Sequence, residues 1–310
     1  MNTNTLLESL DSVIAIPIIP FNKDAIDYQG HSKNITYLMQ NNYLSNDRLR
    51  VIAIGGTSLL HHLSFEDQIE IVDQTGRQMK EKGVLISGIV PNPIEIIGEL
   101  IGAQSKLSYP PDAYLLMPLS GISSPEGIYD QYQSLAEKYG KSCNARFIYY
   151  LRQKRDLEAV IRLVNESPNF IGVKIGTDEG DVQPLIEGIN KSGLVIWGIG
   201  DRCTKAAELG AKGHTSGIAV VFAKISDEIN NAQRQKDYST SHQIESRISA
   251  LEDIRFTNGR VYNYSAVVEA MILSGFKDIE GGNGGPFNPR VPEHISIEVQ
   301  DAIKDLTPYH

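Results

Sequence analysis

Short apolar runs return at regular intervals along this chain: VIAIPII from Val13, VIAIG from Val51, VLISGIV from Val84, AYLLM from Ala113, RFIYY from Arg146, FIGVKI from Phe170, LVIWGIG from Leu194 and HTSGIAV from His214. None alternates strictly between apolar and polar, and a strand apolar at successive positions is one covered on both faces, as in a parallel sheet. Between the runs lie stretches with apolar residues at helical spacing, among them IDYQGHSKNITYLMQNN, FEDQIEIVDQTGRQMKEKG, SPEGIYDQYQSLAEKYG and DRCTKAAELGAKG. Ser64 before FEDQ predicts an N-cap with acids in the first turn, and Gly83 and Gly140 are predicted left-handed caps. Eight strand-then-helix units within residues 1–230 predict an α/β fold, a (β/α)8 TIM barrel. From Asn231 the rhythm stops, and 231–310 is predicted as a C-terminal helical extension, interrupted by a structured surface loop at GGNGGPFNPRVP from Gly281. A doubly wound sheet is the rival architecture, but its phosphate-binding GxGxxG is matched only by GIGDRC from Gly198, which comes late and lacks the third glycine.

Composition narrows the functions open to such a barrel. The 310 residues are 41% hydrophobic and 22% charged, enough to bury a large core. A formal net charge of −9 supplies no basic field for a nucleic-acid backbone, so no nucleic-acid partner is expected. No segment approaches the ~20 apolar residues of a membrane span, and MNTNTLLESLDS is not a basic region followed by an apolar one, so no membrane partner and a cytoplasmic location are expected. Cys143 and Cys203 have no CxxC spacing and are expected to be buried thiols. His61 and His62 are adjacent, but no Asp, Glu or Cys cluster completes a metal shell around them, so they are expected to pack or support a site.

Candidate chemistry centres on NFIGVKIGT, residues 169 to 177, where Lys174 sits at the far end of an apolar strand. Burying an ammonium costs several kcal/mol unless it is paired or deprotonated. In a barrel, catalytic groups gather at the strand ends that lead into the βα loops. With Gly172 and Lys174 pointing inward, apolar walls would lower the lysine pKa and leave neutral amine able to attack a ketone. The competing reading is a lysine paired with Asp178 or Glu179 at the strand terminus. In the preceding strand, FIYYL, Tyr149 and Tyr150 occupy neighbouring positions, so one of them should face the interior and could move protons during imine formation.

IYY followed by GVK, GGTSLLHHLS after the second strand, GIGDR after the seventh, GHTSG in the eighth and the opening IPIIPF together resemble the dihydrodipicolinate synthase and N-acetylneuraminate lyase family over essentially the whole chain. The resemblance implies a (β/α)8 class I lyase that binds pyruvate or another 2-oxo acid as a lysine imine, with no metal or other cofactor, in a homo-oligomer that is a tetramer or dimer. By the same resemblance, Lys174 takes the imine role, Tyr149 the proton-transfer role, and the turn Gly56, Thr57, Ser58 the carboxylate-binding role. Successive backbone N–H groups with a hydroxyl would form an anion nest there.

The chain departs from the family pattern at that turn, usually GTTGE or GSTGE, where Gly56 replaces the first hydroxyl residue, Thr57 keeps the second and Ser58 stands at the second glycine, and in two further places. After the fourth strand, PLSGISSPEG puts Leu119 and Ser120 where dihydrodipicolinate synthases carry tyrosines of a proton relay. After the catalytic tyrosine the usual Asn and Pro are missing, and this stretch resembles the sugar-acid branch of the family. EDIRFTNGRVYNYSAVVEAM with GGPFNPRVP resembles the C-terminal segment of one subgroup of the family. Arg152, Arg155 and Arg202 lie in loops where a substrate's distal end would lie, and arginine binds carboxylates bidentately, although surface ion pairs are the commoner fate of loop arginines. Gly200, Asp201, Thr215, Ser216 and Gly217 are expected to line the seventh and eighth strand ends and bind sugar hydroxyls or a phosphate. The expected function is a Schiff-base lyase acting on a small-molecule 2-oxo, keto-deoxy sugar acid, by aldol cleavage releasing pyruvate or by dehydration. The alternatives are a barrel that binds a 2-oxo acid without turnover, and condensation of pyruvate with an aldehyde as in dihydrodipicolinate synthase.

Overall fold

In the computed structural model, which describes residues 1–190 and 193–310, each of the eight apolar runs contributes one parallel strand. These are β1 (Val13–Ala15), β2 (Arg50–Ile54), β3 (Gly83–Ile89), β4 (Ala113–Leu116), β5 (Phe147–Leu151), β6 (Phe170–Ile175), β7 (Leu194–Trp197) and β8 (His214–Ser216). They pair in sequence order and β8 pairs back to β1, closing the barrel. Every strand is buried along its whole length, which is why none alternates. The predicted (β/α)8 TIM barrel with C-terminal helices is therefore what the chain forms.

The two faces of the strands feed two cores. One fills the barrel and contains Ile14, Val51, Ala53, Ile86, Leu115, Ile148, Tyr150 and Ile196. The other lies between the strands and the surrounding helices and contains Ile52, Ile54, Phe147, Tyr149, Leu151, Val173 and Ile175. Helix α1 (Thr3–Leu10), capped by the Asn2 side chain, adds Leu6 and Leu10 to the inner core. The outer helices are α2 (Tyr28–Gln40), α3 (Phe65–Met79), α4 (Ile94–Gln104), α5 (Pro125–Cys143), α6 (Leu157–Glu166), α7 (Val182–Gly188), α8 (Thr204–Glu208) and α9 (Ala223–Arg234). A fully buried Arg50–Asp227 pair, with Nη1 and Nη2 each 2.7 Å from a carboxylate oxygen, ties the start of β2 to α9.

Local expectations fare unevenly. Ser64 caps α3 by accepting from Asp67 N–H at 3.0 Å. Gly83 instead opens β3 in extended backbone, and Gly140 lies inside α5, where a side chain would strike Asn169. The left-handed cap of α5 is Asn144, at φ +52°, since asparagine tolerates that region. Cys203 is buried, but Cys143 is only half-buried.

The expected boundary at 230 falls within α9, which continues to Arg234. Beyond it α10 (Tyr238–Arg260), α11 (Ser265–Ser274) and α12 (Glu293–Ile303) join the outer core through Ile248, Leu251, Val268, Val299 and Ile303. Non-helical backbone at Thr257, Asn258 and Gly259 interrupts α10 near its end. The glycine-rich segment after Gly281 folds back as a short antiparallel pair, Gly284–Gly285 with Asn288–Pro289, and Asn283 N–H donates to Phe21 O at 3.0 Å.

Candidate active site

Strand parity decides which tyrosine meets the lysine. Successive strand residues face opposite sides, and with Ile148 inward the next inward residue is Tyr150. Tyr150 is in register with Lys174, and the lysine Nζ stands 4.1 Å from the centroid of its ring. Tyr149 faces the helices, with its ring edge-on to Tyr132 at 5.8 Å and Asp156 as its charged neighbour. The expectation that Tyr149 stands beside the amine is thus corrected: it is on the wrong face of β5, and Tyr150 holds that place.

Lys174 is 3% exposed. Beneath it the barrel is packed with Ile14, Ala53, Ile86, Leu115, Ile148 and Ile196, and Thr215 also reaches this interior. Burial pushes the Lys174 pKa down, Tyr150 pulls it up, and Arg152 and Arg260 push it down further, so the net direction is downward. Burial pushes the Tyr150 phenol up, but Lys174, Arg152 and Arg260 outweigh it and bring its pKa to about 8. Neither Asp178 nor Glu179 pairs with the lysine: Asp178 caps the following turn by accepting from Gly180 N–H at 2.8 Å.

The residue two beyond the lysine organises the rim. A side chain at Gly176 would fall 2.5 Å from Arg152 Cδ and collide with the Tyr150 ring, so only glycine lets both lie across the exit of β6. The Gly176 carbonyl accepts from Arg260 Nη2 at 2.8 Å. Lys174, Tyr150, Arg152 and Arg260 therefore meet around one glycine.

The remaining predicted residues divide. Gly56 adopts φ +51° and opens the turn after β2. Within that turn the Thr57 hydroxyl is buried without a hydrogen-bond partner among the described residues. Ser58 shapes the turn instead, since its hydroxyl donates to Pro17 O at 2.8 Å and its N–H to Gly55 O at 2.9 Å. Asp201 is fully buried, accepting from Ser216 Oγ at 2.9 Å and lying 3.2 Å from His214 Nε2. Gly200 and Gly217 lie against Glu252 and Arg255, a buried ion pair from α10. Asp201 and Ser216 are thus occupied with each other, and Gly200 and Gly217 leave room for the Glu252–Arg255 pair, so these four residues support a seal made by α10. Arg202 pairs with Asp253 at 2.8 Å and lies over Phe256. Arg155 reaches Ser123 and Asp156. His62 packs against the exposed Phe287 ring at 5.0 Å.

Tyr150 was one of two tyrosines whose facing the sequence left open, and Gly176 and Arg260 were missed in it. The one available signal for Arg260 was Asn258-Gly259, an Asn-Gly pair inside a helical pattern, which marks a left-handed turn. Among the described residues, no cluster of three or more His, Cys, Asp or Glu is placed to hold a metal ion, and no helix is long and apolar enough to cross a membrane.

Comparison with known proteins places the chain in a family and matches its fold. A family model described as the dihydrodipicolinate synthetase family matches residues 9–281. The 4-hydroxy-tetrahydrodipicolinate synthase of Neisseria gonorrhoeae is 27% identical over 263 residues, and that of Thermodesulfovibrio yellowstonii is 24% identical over 249. Each match covers 79% of this chain and 82% of the relative. Dihydrodipicolinate synthase from Bacillus clausii superposes with a TM-score of 0.86 at 21% identity, covering 96% of this chain and 98% of that one. The chloride-inhibited enzyme from Acinetobacter baumannii, complexed with pyruvate, gives 0.83 at 24% identity, covering 97% and 100%.

Proposed function

The chain belongs to the dihydrodipicolinate synthetase family of class I lyases, and from that premise we propose that it captures a 2-oxo acid as an imine on Lys174 and makes or breaks the bond beyond C3. The observation that carries this reading is the buried lysine facing a phenol of lowered pKa at the loop end of the barrel. Neutral Lys174 Nζ attacks the C2 ketone, and the Tyr150 hydroxyl gives and takes the protons by which the carbinolamine loses water. The protonated imine withdraws electrons from C3: in cleavage the C3–C4 bond breaks with its electron pair held as an enamine, and in dehydration a C3–H bond breaks to give the same enamine, whose pair then expels the C4 hydroxyl, which leaves with its bonding pair and a proton as water. The buried Thr57 hydroxyl and its turn hold the C1 carboxylate.

The substrate class we propose is a keto-deoxy sugar acid, turned over by aldol cleavage that releases pyruvate or by dehydration. Its support is the absence of tyrosines after β4: Ser120 in that loop is bonded to Asn92, at 3.1 Å through its N–H and 3.0 Å through its hydroxyl. Condensation of pyruvate with an aldehyde uses the same enamine in the reverse sense, and the relatives named as synthases favour it as the second reading. A panel of keto-deoxy sugar acids, assayed for pyruvate release and for water loss, tests the assignment. Turnover of at least one sugar acid is expected. Turnover confined to pyruvate with an aldehyde acceptor would replace it with the second reading.

A further inference from the structure

The cations around Lys174 differ from their neighbours in one respect. Lys154, Arg155, Arg202 and Arg255 each face a carboxylate, those of Asp181, Asp156, Asp253 and Glu252. Among the described residues, Lys174, Arg152 and Arg260 form no ion pair, although all three surround one phenol. Arg260 is brought there at a cost. Asn258 and Gly259 adopt φ +44° and +75°, and Arg260 itself adopts φ +78°, a region that L side chains rarely occupy. This break turns the end of α10 back over the barrel mouth, where Arg260 is anchored by its bond to Gly176 O and lies over the Phe256 ring. The adjacent Arg152 and Arg260 add two positive charges to whatever proton the lysine and phenol share. A 2-oxo acid with a single carboxylate leaves that charge uncompensated once the carboxylate sits in the Thr57 turn.

We propose that Arg260, with Arg152, forms a subsite for a second anionic group at the distal end of the substrate, so that the barrel selects dianionic over monoanionic 2-oxo acids. The inference rests on the imine reading of Lys174 and deepens it by naming the charge class of the substrate. Arg260 acts as a specificity-determining residue supplied by the C-terminal helices.

The test compares borohydride trapping of 2-oxoglutarate with that of 2-oxopentanoate, which has the same chain length but no second carboxylate. The wild-type protein is expected to reach half-saturation with 2-oxoglutarate at a concentration about tenfold or more below that for 2-oxopentanoate. In Arg260→Met this ratio is expected to fall to about one, with Arg260→Lys retaining part of it. Taking the ratio removes any common effect of Arg260 on the reactivity of Lys174. An unchanged ratio in Arg260→Met, or no preference in the wild type, overturns the subsite; the former is also the result if the arginines hold the C1 carboxylate instead. Calorimetric titration with glutarate, which has no ketone and forms no imine, tests the subsite independently of the imine reading. If neither keto acid leaves an adduct but glutarate binds in an Arg260-dependent way, the imine reading fails and the subsite stands. If glutarate does not bind and no preference is trapped, the subsite is overturned.

Discussion

At the scale of single residues, two adjacent tyrosines face opposite sides of β5 because a strand turns successive side chains to opposite faces, and the proposed chemistry gives only the inward one a part. Tyr150→Phe is expected to slow imine capture by about 10²-fold or more, within the range for loss of a positioned acid–base group. Tyr149→Phe removes a hydroxyl near Asp156 on the helix side and is expected to cost about 1 kcal/mol of stability while leaving capture nearly intact. The pH dependence gives a second readout. Capture needs the first proton to leave the lysine–phenol pair, so its rate rises as pH approaches the Tyr150 value of about 8. Tyr150 favours the charged form of Lys174, whereas burial and the two arginines disfavour it. Without the phenol the amine loses its proton more readily, and in Tyr150→Phe the rising limb should move to lower pH. Rate profiles of adduct formation check both expectations; equal effects of the two substitutions would remove the parity argument.

At the scale of elements, the apolar runs announced the strands because double burial leaves them mostly apolar and without strict alternation, and the Ser64 cap was legible because its chemistry is local. Parity within FIYYL was not legible. Both faces of β5 are apolar, so nothing in those five residues says which tyrosine is inward; the answer lies in the register of Tyr150 with Lys174. The contribution of α10 was equally hidden. Glu252 and Arg255 look like an ordinary surface pair at i and i+3, and only packing against Gly200 and Gly217 makes them a buried seal over β7 and β8. The Arg50–Asp227 pair shows how elements far apart in sequence are locked. Asp227→Ala leaves a guanidinium buried without its carboxylate and is expected to destabilise the fold by ~3–5 kcal/mol, measured by urea unfolding. A loss of under about 1 kcal/mol would mean that water or the Leu38 and Asn41 carbonyls can satisfy Arg50 alone.

At the scale of the whole molecule, the barrel places the amine, the phenol and the Thr57 turn at one end because every βα connection runs the same way round a closed sheet. The C-terminal helices then bring Arg260 to that end from 84 positions beyond Gly176, a distance in sequence that no local pattern could bridge. The barrel and the buried lysine at the end of β6 could therefore be read from the chain, while the identity of the inward phenol and the arginines' convergence needed the fold. The central claim is that Lys174 is the residue that bonds covalently to the substrate. Borohydride reduction in the presence of pyruvate, followed by peptide mapping by mass spectrometry, tests it most directly. The expected result is one reduced pyruvyl adduct per chain, on the peptide containing Lys174, and none in Lys174→Met. An unmodified protein, or an adduct on another lysine, would contradict the account.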